Sequence, residues 1–112
     1  MREIKIGENV YKIHYGQNAI CALEDELDES ISDFYTRLNN NKIRYKDVRA
    51  IIWAGMLKEN PDFKPSDICD LCDNANISMT AILEPCIQEM NDSFTRIIPD
   101  KKEDNKSTPK KN

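Results

Sequence analysis

Residues 45–59, YKDVRAIIWAGMLKE, decide the fold of this chain. Projected at 100° per residue, Val48, Ile51, Ile52, Trp53, Ala54, Met56 and Leu57 leave only a narrow polar arc through Arg49 and Lys58. That is the pattern of a helix surrounded on most sides. The stretch is therefore expected as a central helix, with Val48, Ile52, Trp53 and Met56 in the core and Asn60-Pro61 stopping it. Gly55 inside it costs about 1 kcal/mol relative to Ala, and the usual compensation is close approach by a neighbouring element. Trp53 also has a second reading, as an anchor on a partner-binding face, where Trp is favoured.

Upstream, Arg2 to Ile6 and Val10 to Tyr15 alternate polar and apolar around the turn residues Gly7-Glu8-Asn9, the pattern of a β-hairpin. Tyr11, Ile13 and Tyr15 share the face to be buried, and Gly16 ends the second strand. Asn18 is then the expected N-cap of a helix carrying Ile20, Leu23 and Leu27 inward, with Leu23 and Leu27 as core. Its outer surface is acidic through Glu24, Asp25, Glu26, Asp28 and Glu29. A short second helix starts at Ser30 or Ser32 and ends in Asn39-Asn40-Asn41.

Downstream, Pro65-Ser66-Asp67 suits the first turn of a helix through about Ala75, with Leu71 facing inward. Asn74 to Asn76 is expected as a turn and Ser78 as an N-cap. Met79, Ile82, Leu83, Cys86, Ile87, Met90, Phe94 and Ile97 then form one apolar stripe at spacings of three and four. Ile82 and Leu83 are expected in the core. So long a stripe exceeds what a small domain needs, which leaves Met90, Phe94, Ile97 and Ile98 for another molecule. Pro85 removes one backbone bond, so a kink or a restart of the helix is expected there.

The whole is expected to be α+β and mostly helical, a small N-terminal hairpin followed by four or five packed helices. At 112 residues it holds one core. Residues 1–98 form the domain. Residues 99–112, PDKKEDNKSTPKKN, have no large apolar residue and are expected to be a disordered lysine-rich tail. The longest strongly apolar run, Ala50 to Leu57, is far short of the roughly 20 residues that span a bilayer. The N-terminus has no apolar signal core, so the four cysteines are expected as reduced thiols in a cytosol. Residues 1–98 hold 11 Lys and Arg against 17 Asp and Glu, a net of −6, while the tail is net +2. An acidic body repels phosphate backbones, so no nucleic-acid partner is expected.

CDLCDNANISMTAILEPC, residues 69–86, holds three of the cysteines. Structural zinc wants four thiolate or imidazole ligands, commonly in two short pairs. Here Cys69 and Cys72 make one pair, Cys86 follows singly, and His14 is the only histidine. Spacing of three is also what helix neighbours show, and small apolar Cys suits buried helix contacts. Packing thiols are the expectation, a metal module using Cys69, Cys72 and Cys86 the alternative. A redox pair would follow a strand and begin a helix, and this one lies within a helix. No serine or cysteine has a nucleophile context, the carboxylates do not converge on a pocket, and no glycine-rich phosphate loop is present. No catalytic residue and no cofactor is expected. The carboxylates Glu24, Asp25 and Asp28 have a sharper reading as a docking face for a basic partner, including a host protein.

Two stretches resemble a known family. VYKIHYGQNAICALEDEL, residues 10–27, is similar to the strand, turn and acidic first helix of phage tail assembly chaperones related to those encoded by gene transfer agents. AIIWAGMLKENPDF, residues 50–63, is similar to that family's apolar helix with its Trp-Ala-Gly step and following polar turn. The resemblance covers about residues 4–98. The family often has Gly where this chain has Asp28, and the lysine-rich tail is not part of the shared pattern. The resemblance implies a non-enzymatic protein of the bacterial host cytosol, absent from the mature virion, with the lambda-type chaperone role. Such proteins bind the tape measure protein, keep it soluble and help tail tube protein assemble around it. Self-association is left open, and no membrane partner is expected.

Overall fold

A computed structural model describes residues 2–97 of the chain, with side chains through residue 95. The central helix is enclosed as its pattern requires. It is preceded by strands β1 (Arg2–Ile6) and β2 (Asn9–Ile13) and helices α1 (Gln17–Leu27) and α2 (Ile31–Asn39). The central element is α3 (Tyr45–Met56), followed by α4 (Pro65–Ala75), a 3-10 turn (Met79–Ile82) and α5 (Leu83–Ile97). Helices α1, α4 and α5 and strand β2 all pack on α3. Ala50, Ile51, Ile52, Ala54 and Met56 have no exposed surface as a result.

The hairpin is antiparallel, with Ile4 opposite Tyr11 and Lys5 opposite Val10. Gly7 takes the turn at φ +65°, a conformation that costs Gly nothing. Ile4, Ile6 and Ile13 face the helices, while Glu3, Lys5, Val10 and Lys12 face solvent. Strand β2 stops at Ile13, opposite Arg2 where β1 begins, and does not run to Tyr15; the His14 N–H, on the side away from β1, donates to the Gly55 carbonyl at 2.8 Å. The same bond explains why α3 ends at Met56 and not at Glu59. A continuing helix would need the Gly55 carbonyl for residue 59, which His14 N–H occupies, while the next helical bond, Asn60 N–H to the Met56 carbonyl at 2.9 Å, is still made.

Other boundaries depart from the sequence reading for local reasons. Gly16, extended at φ −95° and ψ −167°, precedes α1 in place of Asn18, and its carbonyl accepts from Ile20 N–H at 3.1 Å. Asp28 closes α1 in the left-handed region at φ 54°, which accounts for the glycine common at that place in the resembling family. Ser30 caps α2 by accepting from Asp33 N–H at 3.1 Å. Asn74 and Ala75 belong to α4, and Asn76 alone reverses the chain at φ 58°. The final stripe is broken. Ser78 accepts from Thr80 N–H at 3.2 Å to open the 3-10 turn, and α5 restarts at Leu83, two residues before Pro85. Pro85 thus sits in a first turn, where a missing N–H leaves no helix bond unmade.

Leu23, Val48, Ile52, Met56 and Ile82 are buried, and Leu27, Trp53, Leu71 and Leu83 are partly buried around them. Trp53 flanks the core and ties down the α3–α4 connection, its Nε1–H donating to the Phe63 carbonyl at 2.8 Å. Ile98 and the expected tail, residues 99–112, lie outside the described residues.

Candidate partner-binding surfaces

The acidic end of α1 is only partly a free surface. Glu24 Oε2 accepts from the Ile31 N–H at 2.7 Å, so it caps α2, and Glu26 approaches Arg49 on α3 at 3.7 Å. Glu29 belongs to a charge cluster that joins α2 to α3. Arg37, in the last turn of α2, donates from Nε and Nη2 to Glu29 at 2.9 and 2.7 Å. Its Nη1 donates to Asp47 Oδ2 at 2.8 Å and to the Lys42 carbonyl at 2.9 Å, and its guanidinium lies 5.3 Å from the centre of the Phe34 ring. Arg44 completes the cluster, Nη2 donating to Asp47 Oδ1 at 2.9 Å and its backbone N–H to Oδ2 at 2.6 Å.

Asp47 itself is 0% exposed. Burial alone would raise its carboxyl, but the hydrogen bonds from Arg37 and Arg44 overturn that and hold it well below the usual carboxylate range. The bond from Arg37 likewise lowers Glu29. This cluster was missed in the sequence. Its signal was present in Asp47 as the third residue of a helix, the place from which a carboxylate reaches back to the preceding N–H. What remains outward from the expected acidic docking face is Asp25 and Asp28, both exposed. Asp28 borders a shallow depression with Arg37, Lys42 and Arg44, so its surroundings are mixed in charge.

The expectation that the end of the apolar stripe is left for another molecule is corrected for Met90 and Phe94. Met90 is 0% exposed and Phe94 is 7% exposed. Phe94 packs on Tyr35 of α2 with ring centres 4.4 Å apart, and Tyr35 Oη donates to Asn91 Oδ1 at 2.8 Å. Helices α2 and α3 and the hairpin use the stripe because α5 closes the fold against all of them. Arg2 of β1 bridges Glu89 at 2.9 Å and Asp92 at 3.1 Å on the same helix. The Ile97 side chain and Ile98 lie outside the described residues.

Cys69, Cys72 and Cys86 are not brought together as one site. Cys69 and Cys72 sit on α4, and Cys86 is buried on α5 beside Tyr15. Among the described residues no group of three His, Cys, Asp or Glu side chains is placed to hold a metal. Burial raises the Cys86 thiol to about 12, with the Tyr15 hydrogen bond opposing it. Burial, then the neighbouring Cys69 and Asp73, raises Cys72. His14 lines a groove of about 620 Å³ whose other polar side chains are Tyr15, Gln17, Asn18 and Lys58. That lining offers His14 no carboxylate to orient it and no serine or cysteine to activate.

Among the described residues, Val10 and Tyr45 are the large hydrophobic side chains left well exposed, each 57%. No helix among them is long and apolar enough to cross a membrane. In comparison with known proteins, a family model described as phage tail tube protein, GTA-gp10, matches residues 2–68, from β1 into the first turn of α4. No curated protein and no solved structure matches the chain.

Proposed function

The chain belongs to the phage tail tube protein, GTA-gp10, family, and from that premise we propose that it is a non-enzymatic tail assembly chaperone. In this reading it works in the bacterial cytosol, binds the tape measure protein, helps tail tube protein assemble around it, and is absent from the finished virion. Family membership carries the reading to phage tails. The character of the surface supports the helper role within it. A permanent subunit interface is large and apolar, whereas the described surface is charged and exposes only two large hydrophobic side chains. Contacts of that kind are individually weak and reversible. Several copies bound along one long helical rod would multiply them into useful avidity.

Asp25 and Asp28 are the part of the acidic face available for such a contact, so the binding is expected to weaken with salt. The family's description favours a second reading, in which the chain is itself a subunit of the tail tube. Co-expression with the tape measure protein of the same phage separates these ideas from a chain with no tail role. The chaperone reading expects a higher soluble yield of tape measure protein and its co-purification with this chain. Unchanged yield with no co-purification would sink it.

A further inference from the structure

The outer edge of β2 is open over a short, defined stretch. The His14 N–H points away from β1, toward Gly55. Backbone groups two and four residues earlier share that direction, because the ladder alternates with a period of two. The N–H and C=O of Lys12 and Val10 therefore line the outer edge. Outside the β1–β2 ladder, no backbone hydrogen bond among the described residues involves either of them. Contact with α3 closes the edge at His14. Val10, 57% exposed, stands on the open part, with exposed Lys12 after it in the strand and exposed Glu8 in the turn before it.

We propose that two copies of this chain pair β2 against β2, antiparallel and centred on Val10, to form one four-stranded sheet with helices on a single face. In that register each Val10 lies opposite the partner's Val10, which covers the exposed side chain. Each Lys12 lies opposite the partner's Glu8. Lys12 is already opposite Glu3 in the hairpin, so each Lys12 stands between Glu3 of its own β1 and Glu8 in the partner's β1–β2 turn, an arrangement repeated by the two-fold axis. Neighbouring registers are worse. Centring on Tyr11 sets each Val10 against a lysine. Centring on Lys12 sets the two lysines together and calls on the His14 N–H, which Gly55 already occupies. A lysine on a free edge deters strand addition by other chains. Glu8 across the axis makes self-pairing the exception, which is selectivity by repulsion of everything else.

The inference does not depend on the tail assembly reading, and its test uses the full chain alone. Sedimentation equilibrium is expected to show a reversible dimer. Lys12→Glu and Glu8→Lys each raise its dissociation midpoint about tenfold, since each sets like charges opposite one another twice. The Glu8→Lys/Lys12→Glu double variant brings it back toward the parent value, short of it because position 12 then opposes Glu3 with like charge. Val10→Pro removes an N–H that faces solvent in the monomer, so the hairpin tolerates it and circular dichroism is unchanged while the dimer is lost. A wild-type chain that stays monomeric at millimolar concentration overturns the proposal. So does a dimer that none of the three single variants weakens, or one that the double variant leaves as weak as Lys12→Glu alone.

Discussion

The Tyr15 ring fills the space that a side chain at position 55 would need. A Cβ on Gly55 would lie 2.6 Å from both Cζ and Oη of Tyr15. The ring cannot retreat, because Tyr15 is fully buried and its Oη donates to the Ile51 carbonyl at 2.6 Å. Together with the bond from His14 N–H to the Gly55 carbonyl, this contact docks the hairpin on the end of the central helix. Gly55 is thus the joint between the β and α parts of the fold.

Gly55→Ala is expected to destabilise the protein by about 1–3 kcal/mol, the range for overpacking a fixed core. That loss is net of the roughly 1 kcal/mol a better helix former contributes. Urea unfolding checks it, and an alanine variant as stable as the parent would contradict the contact.

The Arg37–Asp47–Arg44 cluster makes stability depend on acid pH. Asp47 ionises more easily in the native protein than at its unfolded value of about 3.9, so its stabilisation is whole above that value. It is lost as pH falls toward the depressed native value, and Glu29, lowered by the same arginine, acts in the same sense. Thermal unfolding between about pH 5 and pH 2 should show this decline, and Asp47→Asn should flatten it. At neutral pH, Asp47→Ala is expected to cost about 1–2 kcal/mol, because it removes the carboxylate that caps α3 at the Arg44 N–H and joins α3 to Arg37 of α2.

Met90→Ala should act on stability first. Deleting a fully buried Met side chain costs about 2–5 kcal/mol, readable as a fall in the urea midpoint. A variant with unchanged stability and weakened partner binding would return the end of the stripe to the surface.

Thiol labelling should separate the cysteines by their surroundings. Cys21 is exposed and should react first with a thiol reagent. Cys86, raised to about 12 and buried beside Tyr15, should react only on unfolding. Native mass spectrometry should find no zinc, and a stoichiometric zinc adduct would revive the metal reading.

Much of the architecture was legible because periodicity reports burial. The enclosed helix over YKDVRAIIWAGM, the alternation of the hairpin and the proline opening of α4 each name their own partner faces. What escaped was set by tertiary contacts. The end of α3 depends on which atom takes the Gly55 carbonyl, and His14 is 41 residues away in the chain. The acidic run of α1 looked like one solvated face, yet Glu24, Glu26 and Glu29 are drawn toward α2 and α3 by groups that helical projection of α1 alone does not include. The spare half of the final stripe proved to be the closing surface of the core, because α2 supplies Tyr35 to cover Phe94.

The most direct test of the chaperone reading is the composition of tails at two stages of assembly, by quantitative mass spectrometry. The account predicts that this chain accompanies the tape measure protein in assembly intermediates from the cytosol and is missing from purified mature particles. Its presence in mature tails at a copy number matching the tube subunits would contradict the account and make the chain a structural component of the tube.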